Sequence, residues 1–228
     1  LEELWQGLQK AVELIINLDP EVMEVVGRSL RISVTSSLLA SVICIPLASL
    51  IHFRNFLGKR ALINIIQTLF SVPTVIIGLF VFVFISSTGP FGSMGLLFTP
   101  TAMIIGQMIL VSPIMLGLII SALSGVDTAI RDTALSLGAS ELQSIVVILK
   151  EARYAVIAAL IMGFGRAISE VGCALMVGGN IRGFTRVITT AISLETSRGE
   201  LELSIALGII LLLIALIINV ALNRIQQR

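Results

Sequence analysis

Charge is what this chain has least of. Only 13% of its 228 residues are Asp, Glu, Lys or Arg, against roughly 25% in ordinary soluble domains. Most of its surface therefore has to face something other than water. Bases and acids nearly cancel, 15 against 14, leaving a formal net charge of +1. No strong field points toward nucleic acid, and no nucleic-acid partner is expected. Cys44 and Cys173, the two cysteines, both sit inside apolar runs, which gives no disulfide framework and no paired metal-ligand spacing. His52 is the single histidine. With one histidine, no H-E-x-x-H and no G-x-S-x-G, the chain has no constellation for an intramembrane enzyme, and neither a catalytic residue nor a metal site nor a cofactor is expected. A G-x-x-x-x-G-K-[ST] loop is also missing, so any ATP hydrolysis falls to another chain. No short apolar stretch near the N-terminus ends in a small-residue cleavage site, and no removable signal peptide is expected.

Apolar residues are abundant instead: 56% of the chain, with a mean hydropathy of +1.05. Crossing a bilayer core takes about 20 apolar residues. Five stretches qualify, at 29–51, 61–85, 101–123, 154–178 and 203–222. The first is soft at its start, where Arg31 is followed by several polar residues. Pro46, Pro73 and Pro113 fall inside three of them, and each frees a backbone carbonyl that neighbouring groups must satisfy. The expected fold is an all-α integral membrane protein of about five transmembrane helices.

A different element precedes the spans. Leu1, Leu4, Trp5, Leu8, Ala11, Val12, Ile15 and Ile16 recur with a period of 3.6, while Glu2, Glu3, Gln6, Gln9, Lys10 and Glu13 occupy the other face. That face is too charged to cross lipid, so an amphipathic helix is expected at the outer interface or against a neighbouring subunit. The next helix should start near Asp19, with Pro20 at its first position, where a missing N–H costs nothing. Residues 1–27 are thus read as an interfacial helix and linker, and 28–228 as the transmembrane domain.

Lysines and arginines set the orientation. The loop HFRNFLGKR (52–60) holds Arg54, Lys59 and Arg60 with no acid, so it belongs in the cytoplasm. The uncharged SSTGPFGSMGLLFTP (86–100) fits the outside. Residues 124–153 return to the cytoplasm with Arg131, Lys150 and Arg153, and the tail NRIQQR ends there. The N-terminus is then outside, although Arg28 and Arg31 pull the other way. A multi-pass membrane protein is implied.

The stretch RDTALSLGASELQSIVVILKEAR (131–153) suits neither lipid nor free water. Ala134, Leu135, Gly138, Leu142, Ile145, Val146 and Leu149 make a stripe at helical spacing. Three bases and three acids cancel, so anionic headgroups would hold it poorly. Read as a mid-helix residue, Gly138 costs about 1 kcal/mol against alanine and permits another backbone to come close. A helix at about 131–146 offered to a protein partner is the expectation.

At this point the chain resembles the permease subunits of binding-protein-dependent ABC importers. Those carry a cytoplasmic loop of pattern E-A-A, three residues, G, nine residues, I-x-L-P; here Asp132-Thr133-Ala134, Gly138 and Ile148 keep the spacing. Asp replaces Glu, Thr replaces the first Ala, and Lys150-Glu151 stand where L-P is usual. FSVPTVIIGLFVF (70–82) and GRAISEVGCALMVGGNIRGFTRVITTAISLETSRGE (165–200) are similar to the tungstate-type branch, close to the molybdate type, and the likeness covers roughly 20–225. The resemblance implies a type I ABC importer permease fold, a homodimer, two separate ATPase subunits that bind the ATP, and an external oxyanion-binding protein. It also implies that Asp132, Thr133, Ala134, Leu135, Gly138, Ala139 and Ser140 form the coupling segment gripped by the ATPase. Tungstate against molybdate stays open, as do sulfate and phosphate. An ATP-independent secondary transporter is disfavoured, because no internal repeat of spans stands out.

Arg166 and Glu170 lie four residues apart in the fourth span, close enough to neutralise each other. Two readings stay open: an ion pair that fixes helix packing, or, together with Ser169, part of the translocation path or its gate. Ala155, Ala159, Gly163 and Ala167 form a small-residue ridge for close helix approach, against a helix the sequence does not identify. Gly178-Gly179-Asn180 should stop the span. Residues 181–202 are expected to form an outer loop with a short helix, where Arg182, Arg186 and Arg198 could receive the delivery protein or simply be solvated beside Glu195, Glu200 and Glu202.

Overall fold

The computed structural model describes residues 2–226. Leu1 and the tail residues Gln227 and Arg228 lie outside the described residues. Among those described, the chain is helical with no strand. Three helices are long and apolar enough to cross a bilayer, or up to five if each of two bent pairs is one span.

Helix α1 (Glu2–Ile16) is followed by a turn in which Leu18 takes a positive φ of 47°. Its contact with the rest of the chain is a narrow seam of Gly7, Ala11 and Leu14 laid along the C-terminal helix. The approach is close: a Cβ on Gly7 would stand 2.4 Å from Ile205 Cγ2. Of the expected apolar stripe, Leu4, Trp5, Leu8, Val12, Ile15 and Ile16 remain exposed. The helix therefore docks by Gly7, Ala11 and Leu14 and leaves its other large apolar residues uncovered by this chain.

Helix α2 (Pro20–Phe53) starts as its sequence demands, with the Asp19 carboxylate accepting from Val22 N and Pro20 in the first turn. It runs unbroken through 27 and 28, so the expected boundary there falls inside one helix. Pro46 does not interrupt it. Its long partner is α5 (Pro100–Ser124), which Thr99 caps and which Pro113 leaves continuous. Ser36 Oγ donates to Gln107 Oε1 across this pair at 2.9 Å, satisfying two buried polar groups.

The second expected span is not one helix. It divides into α3 (Lys59–Thr68) and α4 (Thr74–Ile85), bent by 99° across a 3-10 turn and Pro73. Pro73 has no N–H to donate and biases Val72 to extended backbone (ψ 128°), so the helix cannot pass through. The fourth span divides likewise. After α6 (Thr128–Ser136) and α7 (Glu141–Glu151), helix α8 (Arg153–Ile168) meets α9 (Gly172–Gly178) at 59°. The two breaks adjoin: a Cβ on Gly172 would fall 3.0 Å from Thr74 Oγ1, and one on Gly78 would fall 2.9 Å from the Cys173 Cα. Because Gly78 meets backbone, Gly78→Ala must push α4 and α9 apart. We expect it to cost about 1–3 kcal/mol, read as a lower thermal unfolding midpoint; an unchanged midpoint would mean that this contact is not close.

Gly179 (φ 70°) and Asn180 (φ 51°) end α9 in left-handed backbone, as the sequence leads one to expect. Helix α10 (Ile188–Arg198) then packs on α11 (Leu201–Gln226). Three of the four ridge residues find their partner within the subunit: Ala159, Gly163 and Ala167 are buried, and a Cβ on Gly163 would meet the Met115 side chain of α5 at 2.2 Å, whereas Ala155 is exposed.

The ends of the bundle are distinct. At one, His52 Nδ1 and Ser124 Oγ lie 3.2 Å apart, joining the end of α2 beside Arg54, Lys59 and Arg60 to the end of α5 that leads into α6. At the other, Phe98 N donates to Val177 O at 2.9 Å, and Ile188 N donates to Ser29 Oγ at 2.8 Å.

Candidate functional site

At the basic end, residues 131–146 do not make the single helix expected from their periodicity. Helix α6 stops at Ser136. Gly138 lies at φ +88°, its N–H donating to Leu135 O and the Ala139 N–H to Ala134 O, both at 3.0 Å. This is a Schellman motif, the common way to close a helix with glycine in left-handed backbone. Ser140 then opens α7 with a reciprocal capping box: Gln143 N donates to Ser140 Oγ, and Ser140 N donates to Gln143 Oε1 at 2.8 Å. The signals S-L-G and S-E-L-Q that produce this stop and start were there to be read, but the apolar stripe ran through them.

The corrected geometry changes the role of Gly138. Nothing lies within 4 Å of where its Cβ would be, so it does not make room for a backbone of this chain. It turns the chain. The turn carries Leu137 and Leu142 outward, 83% and 76% exposed. Sequence reasoning missed Leu137, which lies off the stripe; its only signal was a large apolar residue beside a helix-stop glycine. Asp132, Thr133 and Ser140 are exposed, while Ala134, Leu135 and Ala139 are half-buried. Arg131 Nη2 donates to Glu141 Oε2 at 2.9 Å, bracing α6 against α7. Along α7, buried Ser144 in the first turn and Ile148 further on anchor it, Ile148 in the core that includes Leu123 and Ala152. The turn is thus tied, through α7, to the ends of α5 and α8.

Arg166 and Glu170 do pair, at 2.9 Å between Nη1 and Oε2, but not along one continuous helix. Arg166 lies in the last turn of α8, and Glu170 in the break before α9. The Glu170 side chain is 1% exposed and that of Arg166 is 35% exposed. Glu170 Oε1 also accepts from Cys173 N at 2.8 Å, and its main-chain carbonyl accepts from Thr189 Oγ1 at 2.7 Å. One buried carboxylate thus fastens α8 to α9, while its backbone is tied to α10. The Ser169 hydroxyl is turned back to Gly165 O at 3.0 Å, satisfying a carbonyl freed at the helix end.

At the opposite end, Arg182, Arg186 and Arg198 line a cavity of about 310 Å³ together with Asp19, Glu21 and Glu195. Each has an acid beside it. Arg182 pairs with Glu21, Arg186 stands 3.8 Å from Glu21, and Arg198 lies 3.3 Å from Glu195. Glu21 holds the Arg182 guanidinium above its usual pKa by hydrogen bond and charge. Arg182 and Arg198 are open to an approaching surface, whereas Arg186 is mostly buried and its carbonyl accepts from Arg28 Nη1 at 2.8 Å. Among the described residues no group of three or more His, Cys, Asp or Glu could hold a metal ion.

Broken spans, a braced turn at the basic end and a charged rim at the other describe a membrane-embedded transport subunit. The chain belongs to the family described as binding-protein-dependent transport system inner membrane component, whose model matches residues 44–228. It is similar to the tungstate uptake system permease protein TupB of Peptoclostridium acidaminophilum, 40% identical over 100% of both chains. TupB of Campylobacter jejuni is 38% identical over 100% of this chain and 95% of its own. The fold is also that of a solved bacterial alginate ABC transporter in complex with a substrate-bound periplasmic protein, with a TM-score of 0.77 at 22% identity over 97% of this chain and 86% of that one. The chain is a non-catalytic permease subunit of an ABC transporter, with ATP hydrolysed by a separate subunit.

Proposed function

We propose that two copies of this chain form the transmembrane path of an importer for tungstate, with molybdate as the next candidate. End-to-end likeness to two tungstate permeases, at 40% and 38% identity, is the observation that carries the reading. Two ATPase subunits sit at the basic, cytoplasmic end and a tungstate-binding protein docks at the other. The C-terminus is cytoplasmic and the N-terminus outside, with α1 lying at the outer interface and its uncovered Leu4, Trp5 and Leu8 in lipid or against the partner copy.

The coupling surface is the turn rather than a rod: Asp132 to Leu135 on α6, Gly138 and Ala139 at the corner, Ser140 opening α7, with Leu137 and Leu142 added to the residues the sequence singled out. Closure of the ATPases moves this turn, and the spans switch between two packings as rigid bodies. Arg166, with Ser169 beside it, borders the path at the α8–α9 break, and Glu170 holds Arg166 in place. Arg182 and Arg198 lie on the docking rim; Arg186 supports it from beneath.

The test is reconstitution with the ATPase and the binding protein in liposomes. Tungstate uptake is expected to need ATP and both partners. Uptake by the permease alone, driven by a gradient, would instead establish a secondary transporter. With the binding protein exchanged for a sulfate-specific one, sulfate uptake is expected, since affinity resides in the delivery protein; poor uptake would show that the permease itself discriminates.

A further inference from the structure

The largest cavity described, about 760 Å³, opens at the basic end between the ends of α5 and α7 and the first turns of α8. It is bordered by small side chains, among them Ala155 and Ala158, with Met162 at its inner limit. Beyond Met162 the same face of α8 continues through Gly165, where a Cβ would meet nothing, to Ser169, which is exposed. Positions 155, 158, 162, 165 and 169 are spaced by three and four, one stripe about 20 Å long that is exposed at Ala155, Met162 and Ser169 and half-buried at Ala158 and Gly165. Its inner end is the break that holds Arg166. The opposite face of α8 is packed on α5 through Gly163 and Met115, so the stripe is not a gap in the core.

Charge is distributed unevenly along this groove. Asp127 and Glu151 stand at its mouth, both exposed, and no lysine or arginine lines it. Lys150, adjacent to Glu151, is exposed but does not line the groove. Arg153, whose guanidinium lies 4.5 Å from the centre of the Tyr154 ring, is also outside it, although it feels the Glu151 charge. The Asp127 carboxylate accepts from Ala129 N at 2.9 Å. A cleft lined by one sign of charge repels ions of that sign, and the effect doubles for a dianion.

We propose that this groove is the inner wall of the transit path and that Asp127 and Glu151 act as a return barrier. An oxyanion that has passed Arg166 leaves past two carboxylates, and one in the cytoplasm is kept from coming back. Fixed charges repel in both directions, so the carboxylates do not set the direction of transport, which ATP supplies. They keep product from lodging in the groove, which suits a subunit whose affinity resides in a separate delivery protein. This rests on the transport reading above.

The experiment uses the full complex in liposomes, and measures import and binding-protein-stimulated ATP hydrolysis as tungstate is raised on the ATPase side. Asp127→Asn with Glu151→Gln removes both charges while asparagine can still cap α6. The double variant should be inhibited by internal tungstate at a concentration roughly three- to tenfold lower than wild type, and added salt should shrink the difference. Glu151→Lys alone, which leaves the cap untouched, should shift it in the same direction and serves if the double variant does not assemble. Identical inhibition curves for wild type and variants, with import intact, would overturn the barrier and leave the transport reading standing. A wild type that imports no tungstate would remove the transport reading, and the barrier with it.

Discussion

A complex carrying Gly138→Val is expected to hydrolyse ATP while importing tungstate at least tenfold more slowly than wild type. The argument is conformational. Gly138 sits at φ +88° with open space around the missing Cβ, so a side chain would clash with nothing. What valine cannot do is hold the left-handed backbone. That region costs an ordinary residue about 1–2 kcal/mol and a β-branched one more. The Schellman closure would relax, and with it the angle at which α6 presents Leu137 and α7 presents Leu142. The spans should survive, because α7 is anchored beyond the turn by Ser144 and Ile148. Gly138→Asn is the informative control. Asparagine tolerates left-handed backbone, so it should retain most of the transport per ATP. If asparagine were as damaging as valine, the glycine would be acting by direct contact with the ATPase rather than by turning the chain. Normal coupling in the valine variant would end the case for the turn as the coupling surface.

The contrast between that turn and the long helices shows what hydropathy can and cannot reveal. Long apolar runs bounded by Asp19-Pro20 or Thr99-Pro100 gave α2 and α5 their positions, since burial and capping both act locally. The spans at 61–85 and 154–178 passed the same test of length, yet each is broken. Hydropathy does not register a bend that keeps every residue in an apolar setting. Pro73 lies at the first break, but Pro46 and Pro113 leave their helices whole, so proline alone did not mark it; the second break, at Ser169 to Val171, has no proline. Its cause is tertiary: Glu170 finds Arg166, Cys173 N and, through its carbonyl, Thr189, partners that an α-helical course would not supply together. A similar limit applied to α1. Its periodicity was evident, but the sequence could not say that glycine and alanine would meet α11 while Trp5 stayed uncovered. At Gly138 the reverse happened, for a continuous stripe of apolar residues hid a local stop signal that was plain in the residues themselves.

Arg166→Gln is expected to destabilise the subunit by about 3 kcal/mol, the cost of stranding one member of a buried pair. The asymmetry of the pair makes the loss direction-dependent. Glu170 is almost wholly enclosed, so without Arg166 its charge keeps only the Cys173 N–H. Arg166 is partly open, so without Glu170 it can be hydrated. Glu170→Gln also retains a carbonyl oxygen for Cys173 N and should cost less, about 1–2 kcal/mol. The double variant removes the stranded charge altogether and should be more stable than Arg166→Gln alone, a coupling of about 1–3 kcal/mol in a double-mutant cycle read from unfolding midpoints. Simple additivity would mean that the two groups do not act as a pair. Transport separates the two roles left open by the sequence. A pair that serves packing alone would regain tungstate import as stability returns. A guanidinium that borders the path would not, because the double variant offers a passing dianion no positive charge at the break. The expected result is the second: restored assembly, with import still at least tenfold below wild type.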